Sequence, residues 1–151
     1  MKIRSAKIED LKRISYITRI AWGKPYKKDG VINSFHEVPN FAEQFTDKKL
    51  FILVAILNDK IIGALRYEFR NKAEIYFSKL VTLPSARGQG VGSSLIKKLE
   101  SLAKRRKIKK ISLDCMEEKL LIPFYQKLGY KIVKKVKHLD HHDVYFSKKI
   151  R

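Results

Sequence analysis

Cysteine is almost absent from this chain: its 151 residues include one, Cys115. A single thiol excludes an internal disulfide framework and any cysteine-rich zinc site, and Cys115 reads as a small buried residue. Long apolar runs are missing too. No stretch reaches the roughly 18 consecutive apolar residues of a membrane span, and the opening MKIRSAKIEDLKR has no apolar core of a secretory signal. A soluble, cytoplasmic protein is therefore expected. Glycine and proline number only seven and four, and there is no internal repeat or low-complexity tract. With 44% hydrophobic residues, the length suits one buried core and is too short for two ordinary domains, so one domain over residues 1–151 is expected.

Acidic residues are also scarce. Fifteen Asp and Glu stand against 34 Lys and Arg, a formal net charge of +19, which attracts anionic partners over long range. The excess is dispersed, however, with clusters at Lys27–Lys28, Lys97–Lys98, Lys104 to Lys107, Lys109–Lys110 and Lys134–Lys135–Lys137. These are mixed into amphipathic segments instead of forming one arm, a pattern that favours a solvated basic surface over a dedicated nucleic-acid face and leaves nucleic acid open as a partner.

The periodicity predicts an α+β protein. KIRSA alternates as a short strand, and IEDLKRISYITRIAW repeats Leu11, Ile14, Thr18 and Ala21 at helical spacing behind the acidic pair Glu9–Asp10. A loop-like stretch follows, then a short helix from Phe41 to Thr46. LFILVAIL and IIGALRYEF read as strands joined at Asn58–Asp59, and AEIYFSKLVTL makes a third neighbour in a meander. Val91, Leu95, Leu99 and Leu102 mark one stripe of a helix running to about Lys107. KKISLDC is a strand, KLLIPFYQKL a short helix ending at Gly129, and YKIVKKV and DVYFSKKI a final strand pair. The order is βα(α)βββαβαββ, a mixed, mainly antiparallel sheet flanked by helices.

Three glycines within five positions, Gly88, Gly90 and Gly92, lie between the third meander strand and the long helix. A strand ending in a glycine-rich turn that enters a helix presents unpaired N–H groups at the positive end of the helix dipole, and that combination binds phosphate. A Walker loop would need Lys-Ser/Thr after its last glycine, where this chain has Ser93–Ser94. A dinucleotide fingerprint would need G-x-G-x-x-G, where this chain has G-x-G-x-G behind antiparallel strands. A third pattern is also present: Arg87-x-x-Gly90-x-Gly92 reads Q/R-x-x-G-x-G/A.

The segment LVTLPSARGQGVGSSLIKKL, Leu80 to Leu99, resembles the acetyl-CoA-binding motif of the GNAT superfamily of acyl-CoA N-acyltransferases, and LIPFYQKLGY, Leu121 to Tyr130, resembles the same superfamily's later F-Y-x-K-x-G-F/Y motif. The two occur in the expected order, and the element order around them fits that fold along essentially the whole chain. The resemblance implies that backbone groups of Leu80, Val81 and Thr82 pair with the pantetheine arm. Gly88, Gln89, Gly90, Val91, Gly92 and Ser93 would supply N–H groups around the pyrophosphate, with Arg87 opening the loop. Tyr125 matches the family tyrosine that protonates the departing thiolate; a phenol stays protonated at neutral pH. Its neighbour Phe124 reads as core packing.

The attacking amine must lose an ammonium proton, which calls for a carboxylate, a histidine or a water chain. By family analogy Glu74, on the strand into the loop, is the expected base, with Asp114, on the strand after the long helix, or water as alternatives; Glu74 sits about one strand repeat early. Glu118 occupies a place where many relatives carry an Asn that touches coenzyme A. Tyr26 and His36–Glu37 are placed by the same analogy to line an acceptor pocket. His138, His141 and His142 with Asp140 and Asp143 invite a metal reading, but adjacent histidines on a strand point to opposite faces, and an ordinary solvated turn is expected. The implied activity is transfer of an acetyl group from acetyl-CoA directly to a primary amine in a ternary complex, by a monomer or homodimer, with neither a metal nor a covalent enzyme intermediate required. A non-catalytic acyl-CoA-responsive or RNA-associated binding module on the same scaffold is the alternative from another class.

Overall fold

The computed structural model describes residues 1–22 and 37–151. In chain order it contains β1 (Lys2–Ser5), α1 (Leu11–Trp22), α2 (Phe41–Thr46), β2 (Phe51–Leu57), β3 (Lys60–Asn71), β4 (Glu74–Thr82), α3 (Val91–Arg105), β5 (Lys110–Met116), α4 (Ile122–Lys127), β6 (Lys131–Lys137) and β7 (His142–Lys149). The expected order is reproduced, with short 3-10 turns added at Ile8–Asp10, Pro84–Ala86 and Glu117–Lys119. The strands form one seven-stranded sheet, β1-β2-β3-β4-β5-β7-β6. Only β4 and β5 run parallel, and α3 supplies the crossover that a parallel pair requires.

Local chemistry accounts for most element ends. Asn58 and Asp59 both take positive φ, 50° and 62°, as a two-residue hairpin turn between β2 and β3 demands. Asp10 prepares the start of α1: the Lys7 N–H donates to its carboxylate at 2.7 Å, and Arg4 pairs with it at 2.7 Å. The Arg4 hydrogen bond is the main reason that the Asp10 carboxyl is held below its ordinary range.

α3 stops two residues before the expected Lys107. Lys107 turns left-handed at φ 59°, its N–H donates to Lys104 O at 3.1 Å and that of Ile108 donates to Ala103 O at 2.9 Å. That is a Schellman ending completed by a lysine where glycine is usual. α4 repeats the motif with Gly129 at φ 94° and Tyr130 bonded back to Tyr125 O at 3.1 Å. Its start lies three residues later than expected, because the ring of Pro123 clashes with the carbonyl four residues upstream and is tolerated only in the first helical turn.

Both sheet faces are covered, which is why β2 and β3 read as nearly continuous apolar runs. Leu53, Leu65, Ile75 and Phe77 pack with Val91, Leu95 and Leu99 of α3 and Tyr125 of α4. On the other face Ile52, Val54, Ala64 and Val81 pack against Leu11, Ile14 and Ile17 of α1 and Phe41 of α2. Among the described residues no helix is long and apolar enough to cross a membrane.

Candidate active site

The site originates in an irregularity of β4. Between the pairs Ala64↔Val81 and Arg66↔Ser78, β4 carries one residue more than β3, a β-bulge at which Lys79 takes φ 47°. A bulge bends its strand and increases the local twist. β4 and β5 are paired only from Glu74↔Lys110 to Phe77↔Leu113. Beyond that rung Ser78, Val81 and Thr82 pair only with β3, and Asp114, Cys115 and Met116 only with β7. The parallel pair therefore forks, leaving a half-open strand edge that can accept an extended chain as an added strand.

The glycine loop closes the mouth of the fork. Leu83 N–H donates to Ile62 O at 2.8 Å, a 3-10 turn over Pro84–Ala86 follows, and Gly88 and Gly90 take φ 79° and 78°. Left-handed backbone at these two positions is what requires glycine there. Ser94 N–H makes the first bond back along α3, to Gly90 O at 3.0 Å, so the N–H groups of Val91, Gly92 and Ser93 have no acceptor within the helix and lead out of its positive end. A Cβ on Gly92 would meet Phe124 Cζ at 3.5 Å and Leu80 Cδ2 at 3.6 Å, so intramolecular packing leaves it just room. Gly63 is tighter. A Cβ there would lie 2.7 Å from Val91 Cγ1 and 3.0 Å from Val81 O; its bare backbone lets α3 begin against β3. Sequence pattern gives no sign of this role, because Gly63 sits unmarked inside an apolar strand.

A cavity of about 630 Å³ lies along the loop and the fork. Leu80, Val81, Thr82, Arg87, Gly88, Gly90, Val91, Gly92 and Ser93 all line it, as does Tyr125. Gln89 does not line it; it is exposed. A second cavity of about 160 Å³ adjoins on the side of the sheet fork, lined by Ser78, Lys79, Asp114, Cys115 and Asp143 among others, and Tyr125 belongs to both walls. Tyr125 is 4% exposed, its ring held by Phe77, Phe124, Tyr130 and Phe146 at centroid distances of 6.1, 5.1, 6.4 and 5.4 Å. Burial, followed by the neighbouring Cys115 and Asp114, raises its phenol above the ordinary tyrosine range. Burial likewise pushes the half-buried Cys115 thiol up to about 11, so the cavity's one thiol is protonated at neutral pH and is a poor nucleophile.

The candidate bases separate clearly. Glu74 lies where β4 and β5 are still paired, accepting from Ser112 Oγ at 2.5 Å with Lys110 Nζ at 3.7 Å. It lines neither cavity, so the structure does not bring it to Tyr125; the sheet register carries it below the fork. Asp114 stands one residue past the last rung, accepts a hydrogen bond from the Tyr76 hydroxyl, and shares the smaller cavity with Tyr125. Glu37 is also elsewhere: it lines a separate cavity between α1 and α2 and is held by Arg66 at 2.6 Å and Ser15 at 2.5 Å. Tyr26 and His36 lie outside the described residues.

Glu118 faces the larger cavity. Burial works to raise its carboxyl, but hydrogen bonds from the His142 ring at 2.7 Å and backbone N–H at 3.1 Å outweigh it and bring the carboxyl down to about 2. Two kinds of residue without a motif to mark them complete the walls. Trp22, the chain's one tryptophan, lines both cavities, and the ammonium groups of Lys79 and Lys119 lie 5.2 and 4.1 Å from its ring centroid. Burial lowers the pKa of both lysines. In the histidine turn the adjacent His141 and His142 point apart, His142 to Glu118, while His138, His141 and Asp143 bring ligand atoms within 4.8 Å of one another.

The forked parallel strand pair capped by a glycine loop at a helix N-terminus is consistent with the acyltransferase family that the two sequence motifs resemble, and sequence comparison agrees. The chain matches the Acetyltransferase (GNAT) family over residues 8–130. It belongs to that family. Comparison with curated proteins gives no match. Among solved structures, an aminoglycoside 6'-N-acetyltransferase complexed with coenzyme A superposes with TM-score 0.79 at 19% identity, over 100% of this chain and 98% of that one. The aminoglycoside 6'-N-acetyltransferase from Enterococcus faecium gives 0.76 at 19%, over 100% and 98%, and a ribosomal-protein-alanine N-acetyltransferase from Brucella melitensis 0.76 at 17%, over 99% of each. At these identities the likeness is one of fold.

Proposed function

We propose that the protein transfers an acetyl group from acetyl-CoA to a primary amine by direct attack in a ternary complex, with Tyr125 as the acid and Asp114 as the proton acceptor. The observation that carries this reading is the position of Tyr125 in the wall between the two cavities, with the glycine loop on one side and Asp114 on the other. The fit to coenzyme A rests on the loop itself: left-handed glycines, outward N–H groups and Arg87 suit a pyrophosphate, and the strand edge of Leu80 to Thr82 suits the amide-bearing pantetheine arm. When bound, acetyl-CoA supplies the thioester carbon that is attacked and the thiolate that leaves.

Asp114 takes the ammonium proton so that the amine presents its lone pair. As the C–N bond forms and the C–S bond breaks, the Tyr125 hydroxyl donates its proton to sulfur, and its raised pKa keeps that proton in place until negative charge develops; the surplus N–H proton of the attacking amine passes to solvent, from which the Tyr125 phenolate is reprotonated. The protonated Cys115 thiol supports direct transfer over an acyl-cysteine route. Solved neighbours include enzymes named for aminoglycosides and for a ribosomal-protein alanine; both acceptor types present primary amines. The test is a free-thiol release screen with acetyl-CoA across aminoglycosides, polyamines, amino acids and peptides with free N-termini, run on wild type and Asp114→Asn. Acceptor-dependent thiol release that falls on the order of 10²-fold in the variant supports the reading. Thiol release that no amine stimulates rejects it.

A further inference from the structure

We propose that His138, His141 and Asp143 form a binding site for a divalent transition metal ion of the zinc type, on the turn between β6 and β7 at the rim of the smaller cavity. The proposal stands on the hairpin and does not depend on the transfer chemistry. The last rung of the β6–β7 ladder is Lys137↔His142, and His138 N–H donates to His141 O at 2.8 Å across the turn. His138 and His141 are therefore cross-strand neighbours whose side chains share a face, and Asp143, two residues along from His141, shares it too. His142 necessarily points the other way, to Glu118.

The donor atoms converge. His138 Nε2 lies 3.0 Å from Asp143 Oδ2 and His141 Nε2 lies 3.5 Å from Asp143 Oδ1. In a tetrahedron with metal–ligand bonds of about 2.1 Å, ligand atoms stand about 3.4 Å apart; the two His–Asp143 separations are already close to that, and all three ligand atoms lie within 4.8 Å of one another. Asp140 Oδ1 sits 2.6 Å from His141 Nδ1. A carboxylate there holds the proton on Nδ1 and turns the lone pair of Nε2 towards the site, the arrangement by which a ligating imidazole is oriented and made more basic. Two imidazoles select a borderline transition ion over magnesium or calcium. With neutral imidazoles, the two carboxylates of the cluster match the charge of a divalent cation, within a chain of net charge +19. Three protein ligands leave a fourth position open to water. Asp143 also lines the smaller cavity, so an ion held there sits beside the proposed amine site.

The experiment is calorimetric titration of untagged full-length protein with ZnCl2, and separately MgCl2, at pH 7.5 and 150 mM NaCl. One zinc ion per chain with Kd at or below about 10 μM and no magnesium heat is expected. His138→Ala, at an exposed position, and His141→Ala, at a partly buried one, should weaken zinc on the order of 100-fold, and Asp140→Asn about 10-fold through the orientation of His141. His142→Ala should bind as wild type. Circular dichroism melts establish that the variants remain folded. Zinc binding that is unsaturable, weaker than about 10 μM, or the same in folded His138→Ala and His141→Ala overturns the site.

Discussion

Removing one oxygen atom, by Tyr125→Phe, separates chemistry from packing. The ring contacts with Phe77, Phe124, Tyr130 and Phe146 survive the substitution. The hydroxyl makes no hydrogen bond among the described residues, and the ring is 4% exposed. No buried partner is orphaned, so stability should change by no more than about 1 kcal/mol. A general acid is typically worth 10²–10⁴-fold, and because the proton is needed only as charge grows on sulfur, the loss falls on kcat and not on acetyl-CoA affinity. A 10²-fold lower kcat corresponds to about 2.7 kcal/mol of barrier. Because burial raises the phenol, it stays protonated throughout an assay up to about pH 10, so any basic limb below that pH belongs to another group and persists in the variant. The assay is thiol release with the amine found by screening, together with acetyl-CoA Kd by calorimetry and a urea melt. Equal kcat in the two proteins would refute the acid role. Parallel losses of kcat, affinity and stability would instead make Tyr125 a packing residue.

Gly63→Ala places a methyl group 2.7 Å from Val91 Cγ1 and 3.0 Å from Val81 O; overpacking of this kind costs about 1–3 kcal/mol, and a lower urea midpoint with weaker acetyl-CoA binding is expected as the start of α3 is pushed off β3. Glu118→Gln addresses acid stability. The folded carboxyl, near 2, is depressed from its ordinary 4.5, so its contribution is fully present above pH 4.5 and is lost as pH falls from there towards 2. The gap in Tm between wild type and variant should therefore be wide at pH 7 and close by pH 2.5, and a gap independent of pH contradicts the His142 pairing.

Features governed by a few adjacent residues are legible in the amino-acid sequence itself. The Asn58–Asp59 turn, the short α2 helix from Phe41 to Thr46, the Gly129 ending of α4 and the glycine loop each follow from local backbone preferences, and the whole element order follows from apolar period. The residues expected on the cofactor side are close in sequence for the same reason: Arg87 to Ser93 run unbroken from the glycine turn into the first turn of α3, and nine of the ten expected residues line the larger cavity, Gln89 excepted. Boundaries slip where a residue adopts an unusual conformation without an unusual identity, as Lys107 and Leu120 do in left-handed backbone.

Composition and periodicity thus determine that this protein is α+β with a glycine-rich turn entering its long helix, because backbone propensity and amphipathic pattern act within a turn or two of chain. Tertiary structure alone decides which carboxylate meets Tyr125. Glu74 and Asp114 are both acids on neighbouring strands, but they are 40 residues apart in sequence, and their relation is set by the parallel register of β4 on β5 and by the bulge at Lys79, where β4 bends away. The same holds for His138, His141 and Asp143, which become one cluster only through hairpin register. Register is the summed outcome of packing on both sheet faces, and a shift of one residue would turn each side chain to the opposite face.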